Sequence, residues 1–77
     1  MKITVLFFGN LLQLANTSKL VLHNVNDTQT ANNELIKKFP EFKNSKYILA
    51  LNQQLVKENT ELKDGDELAC LPPFAGG

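Results

Sequence analysis

The residues best suited to chemistry in this chain are its last seven, Leu71-Pro72-Pro73-Phe74-Ala75-Gly76-Gly77, ending on an α-carboxylate. Glycine has no Cβ, so a backbone ending in Gly76-Gly77 fits a channel too narrow for any side chain. Pro72 and Pro73 fix φ and donate no backbone hydrogen bond, so a strand reaching them must stop there. They also hold the following residues in an extended course. From Phe74 to Gly77 the reach is roughly 13 Å at full extension, enough to carry the carboxylate into another protein's active site. A carboxylate of pKa about 3.5 is ionised at neutral pH and is a poor electrophile. Any acyl chemistry at Gly77 therefore needs activation from outside. The chain has no nucleophile paired with a base, no phosphate-cradling glycine loop and no metal-ligand spacing with which to do it alone.

Other reactive side chains are few. Cys70 is the only cysteine and His23 the only histidine. Cys70 lies among apolar residues, which predicts a small buried hydrophobe rather than a sulfur relay. His23 ends a strand and is given no role. Phe74, beyond the prolines, is expected to anchor in a partner's pocket rather than in its own core.

The elements that position this tail follow from periodicity. Lys2 to Phe8 is rich in β-branched and aromatic residues and predicts a first strand, broken by Gly9-Asn10. Leu11, Leu12, Leu14 and Ala15 suggest a short helical turn that Asn16-Thr17-Ser18 ends. Ser18 to His23 alternates, with Leu20 and Leu22 on one face, as a half-buried strand does. Asp27 or Thr28 can cap a helix whose apolar positions are Ala31, Leu35, Ile36 and Phe39, and which Pro40 terminates. Its first turns are weak, since Gln29, Thr30, Asn32 and Asn33 favour helix poorly or compete for backbone bonds. Lys46 to Leu51 predicts an apolar strand, Asn52-Gln53 a hairpin turn, and Gln54 to Val56 its partner. Lys57 to Leu62 is polar except for Leu62, a plug that holds the loop down. Lys63-Asp64-Gly65-Asp66 is a turn, with Lys43 and Lys46 assigned to another, solvated one. Glu67 to Leu71 is the last strand. Its successive apolar residues suit a central position, and Ala69 and Leu71 face either the core or a partner.

Composition narrows the classes of function. Seventy-seven residues make one domain. The eight basic residues are all lysines and eight acidic residues balance them. A nucleic-acid binder would carry a clustered basic footprint, so neither nucleic acid nor an anionic membrane is an expected partner. No apolar run approaches spanning length. The lone cysteine and the opening, too short for an export signal, predict a reducing, cytoplasmic setting.

The tail Pro72-Pro73-Phe74-Ala75-Gly76-Gly77 resembles that of the ubiquitin-like sulfur carriers, and is most similar to the small subunits of molybdopterin synthases. The resemblance extends through Ala50-Leu51-Asn52-Gln53, through Leu62-Lys63-Asp64-Gly65-Asp66-Glu67-Leu68, and to the helix closing on Phe39-Pro40. The chain departs from the family where an alanine and arginine segment is common, since Gly9-Asn10-Leu11-Leu12-Gln13 has no arginine. It departs again at Gln29 and Asn32, where hydrophobic residues are usual. The resemblance implies an α+β, β-grasp (ubiquitin-like) fold: a mixed sheet with one main helix across one face, formed by residues 1–73, and an extended tail, 74–77. It implies that an E1-like enzyme uses ATP to adenylate Gly77 and that a sulfur donor converts it to a thiocarboxylate. The tail then enters a large subunit, in a heterotetramer, and gives its sulfur to the cyclic pyranopterin precursor. Phe74, Ala75, Gly76 and Gly77 would contact the partner. The chain itself would bind no cofactor or metal and catalyse nothing unaided. Two alternatives stay open: a sulfur carrier for thiazole synthesis, and a ubiquitin-like modifier or interaction domain.

Overall fold

In the computed structural model, which describes residues 1–73, the chain runs β1 (Lys2–Phe7), α1 (Leu11–Ala15), β2 (Lys19–His23), α2 (Thr28–Lys38), a 3-10 helix (Pro40–Asn44), β3 (Ile48–Leu51), β4 (Gln54–Leu55) and β5 (Glu67–Leu71). The five strands form one sheet in the order β2-β1-β5-β3-β4. The last strand is thus the central one. It pairs in parallel with β1, Val5 opposite Leu68 and Phe7 opposite Cys70, and antiparallel with β3, Leu49 opposite Cys70 and Ala50 opposite Ala69. β1 pairs antiparallel with β2, and β3 with β4. This is the α+β, mixed-sheet β-grasp architecture, with α2 packed across one face.

Strand alternation decides which side chains form the core. Ile3, Val5 and Phe7 of β1, Leu22 of β2, and Leu68 and Cys70 of β5 are all buried on the helix side. Ala31 and Leu35 of α2 meet them, with Ile36 and Phe39 packed at the margin, half-buried. Each fully buried Leu, Ile, Val or Phe stabilises the fold by about 1.5–3 kcal/mol relative to leaving it in water. Leu62 is 3% exposed and plugs the core beneath the loop before β5.

The weak start of α2 is compensated by polar staples. Asp27 is the N-cap, its Oδ1 accepting from the Thr30 N–H at 2.8 Å. Hydrogen bonding from Thr30, and from Asn59, holds the Asp27 carboxyl below the usual carboxylate range. Asn59, in the loop after β4, accepts from the Gln29 N–H at 2.9 Å, so it satisfies a second free donor of the first turn. The buried Thr28 hydroxyl accepts from the Thr60 N–H. The loop predicted merely to be polar therefore pins the helix to the sheet.

Beyond α2 the structure differs from the sequence reading. Pro40 stops the helix, but the chain continues as a 3-10 helix whose Phe42 is 1% exposed. Phe42 completes an aromatic cluster: its ring lies 5.7 Å from Phe7 and 5.2 Å from Tyr47, both near edge-to-face. Phe39 packs edge-on against Phe7 at 5.9 Å. The strand expected from Lys46 starts only at Ile48, because Tyr47 turns towards α2 and donates its hydroxyl hydrogen to Asn32 Oδ1. Lys43 and Lys46 are exposed, as assigned, though Lys43 lies within the 3-10 helix.

Two outcomes test this packing. Phe42→Ala should destabilise the domain by about 3–5 kcal/mol, as large-to-small changes at buried aromatics do. Most of the stability of so small a domain would go with it, and urea unfolding monitored by circular dichroism measures the loss. Cys70 is 0% exposed, and burial pushes its thiol up to about 12. A disulfide reagent at pH 8 should therefore leave the folded protein unmodified and react fully once urea unfolds it. Rapid labelling of the native protein would contradict the core placement.

Candidate functional site

The site is the root of the tail and the surfaces around it. The ladder between β1 and β5 runs to the end of both strands, where the Phe8 N–H donates to the Cys70 carbonyl at 3.2 Å. Beyond that bond β1 turns at Gly9, with φ +60, and β5 passes into Pro72-Pro73. The two turns are fitted to each other. A Cβ at Gly9 would lie 2.6 Å from Pro72 Cγ, far inside van der Waals contact. Glycine here serves both the left-handed backbone and the close approach of the proline ring. The end of the central strand is thereby fixed at the point where the tail leaves the body.

The register also settles which way Ala69 and Leu71 point. Leu68 and Cys70 face the helix, so Ala69 and Leu71 face the opposite side, with Ala69 flanked by Leu6 of β1 and Ala50 of β3. Leu55 of β4 lies opposite Ala50 and extends the same row. Leu6, Phe8, Ala50, Leu55, Ala69 and Leu71 together line a shallow apolar depression of about 300 Å³, bordered by Gln53 and Glu67. Phe8 is 43% and Leu55 59% exposed. Apolar side chains this exposed, gathered on one sheet face and rimmed by polar ones, form a surface suited to a protein partner.

A second groove, of about 420 Å³, flanks the tail root on the helix side. Ile36, Phe42, Lys43, Lys46, Tyr47 and Pro73 are among the residues that line it. Burial raises the Tyr47 hydroxyl above its usual range, so it remains protonated and donates to Asn32.

The structure separates the remaining reactive residues from this site. Cys70 faces the core and carries no thiolate at neutral pH. His23 is exposed at the end of β2, opposite Lys2, at the other end of β1 from the tail root. No three His, Cys, Asp or Glu side chains converge to hold a metal ion among the described residues, and none of their helices is long and apolar enough to cross a membrane. Phe74, Ala75, Gly76 and Gly77, where the sequence places the reacting carboxylate and its contacts, lie outside the described residues. Sequence reasoning missed the outward row of Leu6, Ala50 and Leu55. Each is an ordinary strand residue until the pairing register is known.

Comparison with known proteins gives one consistent family. The ThiS family matches residues 5–77. A molybdopterin synthase sulfur carrier subunit of Arabidopsis thaliana is 34% identical, over 99% of this chain and 83% of the relative. The Mycobacterium tuberculosis protein of the same name is 30% identical, over 99% and 98%. Among solved structures, a Pyrococcus furiosus protein assigned as molybdopterin converting factor subunit 1 superposes with a TM-score of 0.87 at 25% identity, covering 95% of this chain and 98% of that one. Small archaeal modifier protein 1 of Methanosarcina acetivorans gives 0.83 at 26% identity, over 99% and 96%. The complex of subunits 1 and 2 of the Helicobacter pylori molybdopterin-converting factor gives 0.75 at 31% identity, over all of both chains. With a family match running from the first strand to the final glycine, on a β-grasp sheet that delivers its central strand to the tail, the chain is a member of the ThiS family.

Proposed function

We propose that this chain is the sulfur-carrier subunit of a molybdopterin synthase, residues 1–73 serving as the docking body and 74–77 as the reacting tail. The observation that carries the reading is the continuity of the central strand with the Pro72-Pro73 exit, beside an unpartnered apolar face. The names of the two curated relatives and of the Helicobacter complex support it. In this reading an E1-like enzyme binds ATP, and a Gly77 carboxylate oxygen attacks the α-phosphorus, releasing pyrophosphate and leaving an acyl-adenylate. Sulfide attacks the acyl carbon and expels AMP, leaving a glycyl thiocarboxylate. The large subunit takes up the tail, the thiocarboxylate sulfur bonds to the cyclic pyranopterin precursor, and water cleaves the acyl–sulfur bond, restoring the Gly77 carboxylate. ATP belongs to the activating partner. The carrier supplies positioning, and a group misplaced by about 1 Å can lose about 100-fold in rate. In this reading the carrier works in the cytoplasm, where the activating partner finds its ATP.

The apolar face assigned to the large subunit is the helix-free side of the sheet. Leu55→Asp changes a side chain that is already 59% exposed. It should leave the melting temperature near wild type while weakening large-subunit binding at least about 10-fold, because a buried unpaired carboxylate costs more than a lost contact.

A second reading has its own support in the likeness to the archaeal modifier protein. There the same activated Gly77 would be transferred to a lysine amine, forming an isopeptide bond. Intact-mass and peptide analysis separates the two, since a carrier ends in sulfur and a modifier is found on lysines.

Deleting Gly77, replacing Gly76 with Leu, or adding one residue after Gly77 should each spare the fold and abolish sulfur loading. Deletion withdraws the carboxylate by roughly 3.5 Å, a Leu side chain meets the channel wall, and extension carries the carboxylate past its mark. Reconstitution with the activating enzyme, ATP and sulfide, read by intact mass, checks all three. Normal loading of the extended tail would defeat the proposal.

A further inference from the structure

We infer that Gln53 is a specificity-determining residue of the docking face, held in a strained turn so that its side-chain amide can read a hydrogen-bonding group on the partner's rim. The inference rests on the assignment of the apolar sheet face to the large subunit.

The two-residue hairpin between β3 and β4 has Leu51 paired with Gln54, and both central residues have positive φ, 48° at Asn52 and 74° at Gln53. Right-handed strand twist favours such a turn, and the sequence that suits it is asparagine followed by glycine. Asn52 meets the requirement and is fully employed. Its Nδ2 donates to Asp66 Oδ1 at 3.0 Å, and its Oδ1 accepts from the Glu67 N–H at 3.0 Å. Gln53 does not meet it. A glutamine at φ 74° carries a Cβ in left-handed backbone, where glycine would be unstrained. Non-glycine residues kept in such backbone gather at functional sites.

The side chain gives the reason. Gln53 is exposed and borders the apolar depression together with Glu67, next to Leu55 and Ala50. Protein interfaces place apolar side chains at the centre and polar ones at the rim, where hydrogen bonds fix orientation. A neutral amide offers both donor and acceptor without the desolvation cost of a charge. Glycine at this position would relax the turn and leave the rim without that group. The partner chemistry implied is an uncharged hydrogen-bonding group, a backbone amide or an amide or hydroxyl side chain, at the edge of an apolar surface.

Gln53→Gly separates the turn from the contact. The melting temperature of the isolated chain should stay level or rise by a few degrees. The dissociation constant for the large subunit, measured by titration calorimetry, should weaken by about 3- to 10-fold, as loss of one hydrogen bond predicts. Gln53→Ala should weaken binding equally without the gain in melting temperature, since it keeps the strain and loses the amide. If Gln53→Gly binds as tightly as wild type, or melts well below it, the inference is overturned. Leu55→Asp is the control. If that variant also binds normally, the docking face is wrongly assigned and the inference falls with it. If Leu55→Asp fails to bind while Gln53→Gly is unaffected, only the role of Gln53 is lost.

Discussion

The parallel pairing of β1 with β5 is the constraint on which the rest of this structure depends. It joins residues more than sixty positions apart, so it forms only after a long loop has been closed at an entropic cost. What offsets that cost is burial on the helix side, where Val5, Phe7, Leu68 and Cys70 lie within one core. The pairing makes the last strand the central one, clamped by β1 on one side and β3 on the other. The tail therefore leaves the middle of the sheet, not a fraying edge, and its root is braced by the fit of Gly9 against Pro72.

The two faces of that central strand divide the work. One face packs against α2 and the aromatic cluster, and the cysteine belongs to it. The other carries Ala69 and Leu71 into an apolar row that continues from Leu6 to Leu55. The proposed chemistry, on a terminal carboxylate, needs this separation. The body must be stable alone, and it must also present a surface by which another protein can hold it while the tail reacts.

Much of this was legible in the sequence. The Pro40 stop, the Asn52-Gln53 hairpin, the Leu62 plug and the buried Cys70 each rest on local rules of proline geometry, turn chemistry and apolar pattern, and the structure bears them out. The 3-10 helix was not legible, because its single core residue, Phe42, sits among charged and polar neighbours and shows no period. The role of Asn59 was hidden for another reason: it acts on the first turn of α2 from thirty residues away. The orientation of Ala69 and Leu71 is not legible in the sequence, because alternation gives two faces but not which one meets the helix. Only the pairing of Val5 with Leu68 decides it. Phe74 to Gly77, the proposed reacting tail, lie outside the described residues and rest on the sequence and its resemblance.

The central claim is that the final glycine carries sulfur. It is tested most directly by the intact mass of the chain purified from its own cells without reductant or added sulfide. The account predicts a population heavier by the difference between one sulfur and one oxygen, with the increment confined to the C-terminal peptide and that population shifted further, by one alkyl group at Gly77, on treatment with an alkylating reagent. A chain found only as the free carboxylate, or attached through Gly77 to lysines of other proteins, would contradict it.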